Sequence, residues 1–128
     1  KTRKTGYAAV FSLIFGAIVT NLLLKNIVAR PRPFAEIEAL IPLIAKPTDF
    51  SFPSGHTTAS FAVALVMFRM LPKKIGIPAV VLAALVAFSR LYLGVHYPTD
   101  VLVGFVVALV GSLLAVWIVR MKLGNIKR

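Results

Sequence analysis

The chain has 128 residues, of which 59% are apolar and 15% charged, with no cysteine and a formal net charge of +11; its mean hydropathy is +0.88. A water-soluble fold of this size has too little interior to hide so much apolar side chain. Low charge excludes a disordered chain, and the missing cysteines exclude a disulfide scaffold, thiolate metal sites and thiol catalysis. The expected architecture is all-α: one domain over residues 1–128, a polytopic bundle whose solvent is lipid.

The elements follow from the uncharged stretches. Tyr7 to Leu24 gives 18 residues without a charge, Val101 to Val119 gives 19, and Gly55 to Phe68 and Ile75 to Ser89 also lack Asp, Glu, Lys and Arg. A crossing helix takes about 20 mostly apolar residues. Four crossings are therefore expected, near 5–26, 54–71, 75–93 and 99–120, the middle two being short. Residues 27–53 form a long loop between the first two. A cleaved signal peptide is a poor reading of the first segment, whose apolar run is long and lacks a small-residue cleavage pattern.

Four crossings fix which charges share a side. Lys1, Arg3, Lys4, Arg69, Lys73, Lys74, Arg120, Lys122, Lys127 and Arg128 fall on one side, ten bases with no acid. The other side holds five bases, Lys25, Arg30, Arg32, Lys46 and Arg90, against four acids, Glu36, Glu38, Asp49 and Asp100. Bases favour the cytoplasmic face. Both termini are expected there, with the 27–53 loop outside. The basic clusters are separated by apolar runs and make no continuous face, so nucleic acid is not an expected partner. The bilayer is.

Polar residues concentrate in three places. Lys25 closes the first apolar helix, and Ala29-Arg30-Pro31-Arg32-Pro33 follows. The prolines end the helix near Val28 and leave Arg32 extended. Pro53-Ser54-Gly55-His56 precedes the second run, with Ser54 suited to the N-cap. A helix start with free N–H groups favours an anion, and His56 can hand it a proton. In the third place, Ser89-Arg90, His96 and Asp100 stand where one apolar segment ends and the next begins. A carboxylate four residues after His96 can bond one imidazole nitrogen, fix the tautomer and leave the other nitrogen as a nucleophile. Each place alone also has an ordinary structural reading: interfacial cations, a plain capped helix, a capping aspartate. All three, however, fall on the same side of the bilayer. Three cations and a helix N-terminus there can hold a phosphate.

Lys25, six residues, Arg32-Pro33; Pro53-Ser54-Gly55-His56; and Ser89-Arg90, five residues, His96, three residues, Asp100 resemble the three-part signature of the type-2 phosphatidic acid phosphatase superfamily, which vanadium-dependent haloperoxidases share. The spacing selects Arg32 over Arg30. The resemblance implies that His96 is the nucleophile, forming a phosphohistidine, with Asp100 orienting it and His56 as general acid. It implies a phosphate cradle of Lys25, Arg32, Ser54, the Gly55 backbone N–H and Arg90, and neither metal nor cofactor. Membrane members usually have six crossings, so a further N-terminal helix pair is expected beyond the four seen here.

The resulting expectation is a lipid phosphate phosphatase of the bacterial cytoplasmic membrane with its site facing outside. Undecaprenyl pyrophosphate is the favoured substrate and phosphatidylglycerophosphate the next. A non-catalytic protein that binds or carries phospholipid headgroups is the alternative. A soluble vanadate-using oxidase keeps the motifs but conflicts with the hydropathy. The loop from Phe34 to Phe52 is either a lid over the entrance or a tether, and the sequence carries no mark of oligomeric state.

Overall fold

The computed structural model describes residues 2–124, and every regular element among them is helical. Helix α1 (Thr2–Ala17) runs without a break into a π-helical segment, Ile18–Leu24, and then into α2 (Lys25–Val28). Wide turns of this kind shift the register of a helix. Thr20 within it and Lys25 directly after it are both buried, and Thr20 Oγ1 lies 3.1 Å from Thr58 Oγ1 on a neighbouring helix. The rod ends where the prolines predict. Ala29 takes the left-handed conformation (φ 50°), and Arg32 is extended (φ −74°, ψ 157°) ahead of the short α3 (Pro33–Glu36).

The chain returns through an irregular segment to α4 (Gly55–Met70). Ser54 caps that helix with an extended backbone, its Oγ accepting from the Thr57 N–H at 3.3 Å. After a tight turn at Leu71 and Pro72, α5 (Lys73–Tyr92) runs back. A turn with Gly94 at φ 77° then leads into α6 (Pro98–Leu123). Pro98 occupies the first helical position, where a missing N–H costs nothing. Asp100 accepts from the Tyr97 N–H at 2.8 Å and caps the same end.

α4 is the central rod and packs on α1, α5 and α6; α1 also packs on α6. The interior is rich in small and hydroxyl side chains, which stand beside larger ones such as Phe61, Leu65 and Val66. Ala62, Ala83, Ala108 and Ala115 are buried, as are Ser12, Thr58 and Ser112, and the largest interior ring pair is Phe61 edge-on to Phe105 at 4.8 Å. Large apolar residues such as Ile14, Leu22, Leu82, Phe88, Leu102 and Trp117 point outward. This inversion suits a bundle in lipid, where close backbone approach rather than expulsion of water holds helices together. Among the described residues, three helical stretches are long and apolar enough to cross a membrane: Thr2–Glu36, Lys73–Tyr92 and Pro98–Leu123. α4, at 16 residues, rises roughly 24 Å against a hydrocarbon core of about 30 Å.

Arg3, Lys4, Arg69, Lys73, Lys74, Arg120 and Lys122 lie at helix ends away from the 27–53 loop. Lys1, Lys127 and Arg128, counted with them above, lie outside the described residues.

The closest backbone approach to the loop end is at Gly104. A Cβ there would stand 2.9 Å from the Ser54 carbonyl oxygen and 3.1 Å from Thr58 Oγ1. Gly104→Val should force α6 away from the start of α4 and cost about 1–3 kcal/mol. Thermal unfolding in detergent measures this, and an unchanged midpoint would contradict the packing described.

Candidate active site

The end of the bundle that carries the 27–53 loop collects the polar residues. α2 supplies Lys25 and the extended piece after Ala29 supplies Arg32. The first turn of α4 supplies Gly55 and His56, the last turn of α5 supplies Arg90, and the turn before α6 supplies His96. All six line one cavity of about 390 Å³. Residues from 25 to 96 meet there because the helix reversals bring the N-terminal ends of α4 and α6 and the C-terminal end of α5 level with the break after α2.

His96 is held from both sides. Its Nδ1 lies 3.3 Å from Asp100 Oδ2 and its Nε2 lies 3.2 Å from Arg32 Nη1. A carboxylate accepts and a guanidinium donates, so the ring carries its proton on Nδ1 and a lone pair on Nε2. Arg32 Nη1 also donates to the Val95 carbonyl at 3.0 Å, which fixes the guanidinium beside the ring. Burial depresses the His96 pKa below the ordinary histidine value. The Asp100 hydrogen bond and charge oppose that shift, while the Arg32 and Arg90 cations add to it. The imidazole is therefore neutral and nucleophilic near neutral pH.

Asp100 lies behind the cavity and is fully buried. Its Oδ2 also accepts from the Ser51 hydroxyl. Ser54, expected in the cradle, is fully buried too and does not line the cavity. Its Oγ accepts from the Thr57 N–H and from Thr57 Oγ1 at 2.9 Å. The structure thus gives the serine hydroxyl to the helix cap, and Gly55 is the member of that pair that borders the cavity. Arg90 Nε is buried and has no hydrogen-bond partner among the described residues. An unpaired buried donor beside two other cations is costly unless an anion satisfies it.

Asp49 was not expected at the site. Its carboxylate ion-pairs with Lys25, accepts from Arg32 Nη2 at 2.6 Å, and borders the same cavity. Arg32 Nε also donates to the Asp49 carbonyl oxygen at 3.0 Å. Burial alone would raise this carboxyl, but the hydrogen bonds and charges of Lys25 and Arg32 outweigh it and bring the pKa down to about 2. The 34–52 loop thus reaches into the site and is more than a tether. It is also fastened at Leu43 N–H to Leu93 O (3.2 Å) and at Ser51 N–H to Arg30 O (2.8 Å). Arg30, passed over by the spacing, lies outside the cavity lining and pairs with Asp100 Oδ1 at 3.0 Å.

Chemically, the cavity can seat a tetrahedral anion among three cations and the α4 N-terminus. A neutral imidazole nitrogen faces that anion from one side, and His56 borders the same space.

The PAP2 superfamily model matches residues 6–123. An undecaprenyl-diphosphatase of Sulfolobus acidocaldarius is 38% identical over 118 residues, covering 92% of this chain and 57% of its own. Two solved structures share the fold. LpxE of Aquifex aeolicus has a TM-score of 0.82 and 26% identity, over 90% of this chain and 68% of that one. A transmembrane PAP2-type phosphatidylglycerolphosphate phosphatase of Bacillus subtilis has a TM-score of 0.66 and 35% identity, over 94% and 59%. The chain spans about half the length of the curated relatives it matches. With three linked motifs in order and a match over nearly its whole length, this multi-pass membrane chain belongs to the PAP2 superfamily.

Proposed function

We propose that the chain is the catalytic part of a membrane lipid phosphatase that works through a phosphohistidine. The observation that carries this reading is the convergence of His56, His96, Lys25, Arg32 and Arg90 on one cavity. In the first step Nε2 of His96 attacks phosphorus. The Nε2–P bond forms as the bond from phosphorus to the lipid-side oxygen breaks, and His56 protonates that oxygen. The imidazolium charge is stabilised by Asp100 through Nδ1–H. In the second step water attacks phosphorus, His56 takes its proton, and the N–P bond breaks to release inorganic phosphate. Lys25, Arg32 and Arg90 stabilise the charge on the equatorial oxygens in both steps, and no metal is called for.

The incoming phosphate exchanges with the Asp49 carboxylate for Lys25 and Arg32, so the 34–52 loop acts as a lid with an anionic tip. The names of the relatives support a lipid phosphate substrate, with undecaprenyl diphosphate first and phosphatidylglycerophosphate next. In this reading residues 1–128 form one integral-membrane domain and α4 makes a fourth crossing, its short length offset by burial among α1, α5 and α6. The seven bases at the far end favour a cytoplasmic placement of that end. The site and the 27–53 loop then face outside the cytoplasmic membrane.

The test is phosphate release from a panel of isoprenyl and glycerolipid phosphates in detergent with EDTA. Activity should survive chelation and fall by ~10³-fold or more in His96→Ala and in His56→Ala. Arg90→Ala should lower kcat/KM by about 10²-fold. Wild-type rates in His96→Ala would sink the assignment, and lipid retained without phosphate release by the unaltered chain would mark a binder instead.

Asp49→Asn should tighten inhibition by orthovanadate several-fold, because a competing anion is gone. Asp49 loses its charge only as pH falls through about 2, so the ratio of variant to wild-type inhibition should stay flat from about pH 5 to 9. Weaker inhibition in the variant would show that Asp49 supports the anion seat rather than competing for it.

A further inference from the structure

The cradle and the two histidines leave one strongly charged group near the site without a role. Arg30 does not line the cavity. It approaches from behind, where its Nη1 donates to Asp100 Oδ1 at 3.0 Å and to Thr99 Oγ1 at 2.5 Å. Its guanidinium lies 4.0 Å from the centre of the Tyr97 ring, and its side chain is 33% exposed. The two oxygens of Asp100 therefore have different tasks. Oδ2 accepts from His96 Nδ1, the Tyr97 N–H and Ser51 Oγ, whereas Oδ1 faces the Arg30 cation. The Ser51 N–H to Arg30 O bond at 2.8 Å ties the Arg30 backbone to the serine that also holds Asp100.

A buried carboxylate beside an imidazole pulls a proton onto it unless another cation shares the negative charge. A protonated His96 has no lone pair on Nε2 and cannot attack. The charged and titratable groups facing His96 are Asp100 from α6, Arg32 from the extended segment, Arg90 from α5, His56 from α4, Lys25 from α2 and Asp49 from the loop. Asp49 is already paired with Lys25 and Arg32. Asp100 is the remaining acid, and its ion pair other than with His96 is Arg30.

We propose that Arg30 is a positioning residue for the phosphoryl transfer: by sharing the charge of Asp100 it lets that carboxylate orient the His96 ring through Nδ1 while Nε2 stays unprotonated. The proposal rests on the phosphohistidine reading given above. It assigns Arg30 no contact with substrate, so its removal acts on the protonation of His96 rather than on binding.

The sign follows from charge. Replacing Arg30 by a neutral residue leaves Asp100 free to stabilise the imidazolium, so His96 takes a proton at higher pH. The acid limb of the kcat/KM profile then moves up by about one pH unit. Arg30→Lys keeps a cation and should restore the wild-type limb. The experiment is the pH profile of phosphate release from farnesyl diphosphate by the whole chain in detergent, for wild type, Arg30→Gln, Arg30→Met and Arg30→Lys. Arg30→Met keeps an apolar stem against the Tyr97 ring and serves as the second neutral variant should Arg30→Gln fail to fold. An upward shift in a neutral variant, reversed in Arg30→Lys, is the expected result. A neutral variant with a lower rate but the wild-type limb, or an equal shift in Arg30→Lys, would overturn the proposal. His96→Ala, assayed alongside, separates the two readings: full activity there removes the phosphohistidine reading itself, whereas an inactive His96→Ala with an unmoved Arg30→Gln limb removes only the role of Arg30.

Discussion

A carboxylate with no exposure to solvent sits at the first turn of α6, and the loop end of the bundle is organised around it. Asp100 accepts from the Tyr97 backbone, the Ser51 hydroxyl and the His96 ring, and pairs with Arg30. These partners come from three stretches of chain, at Arg30, at Ser51 and at His96-Tyr97, so the cost of burying the charge is offset only when all three are in place. The same bonds cap α6, aim the imidazole and anchor the returning loop beside the break after α2. Fold and site are thus coupled through one side chain, and the hydrogen bond from Ser54 N–H to the Asp100 carbonyl (3.0 Å) extends the coupling to the cap of α4.

The helices below that layer are built to hold it still in lipid. Large apolar side chains face outward and small ones inward, so α4 and α6 approach until Gly104 meets the Ser54 backbone. The close approach places the N-terminus of α4 and that of α6 side by side, with His56 and His96 bordering one space. Arg32 then links the ring to the loop: it donates to His96 Nε2, to Asp49 and to the Val95 carbonyl. An anion that displaces Asp49 meets a guanidinium already aligned with the attacking nitrogen, an instance of donors being fixed before charge develops.

Much of this was legible in the sequence. The prolines after Ala29 predicted the end of the first helix and the extended Arg32, and the four-residue step from His96 to Asp100 predicted their hydrogen bond. Hydropathy marked the helices, although α4 is too short to be judged a crossing by length alone. Three features escaped for a common reason. Asp49, Ser51 and Arg30 act through a loop with no periodic pattern, and only the returning path of the chain brings them to Lys25 and Asp100. An N-cap serine can turn either to its own helix or to a ligand, and the sequence does not encode which; here the Ser54 hydroxyl is in the cap. The π-helical segment, in and after which Thr20 and Lys25 are buried, left no composition signal either.

Catalysis by this route needs a neutral His96 with its proton on Nδ1 and its lone pair on Nε2, a lone pair that passes from the Arg32 hydrogen bond to phosphorus. The most direct measurement is an alkaline quench of the chain during turnover of a 32P-labelled lipid phosphate, followed by identification of the phosphorylated atom. Phosphate on Nε2 of His96 is the predicted result. Phosphate on Nδ1, on His56, or on no histidine at all would contradict it.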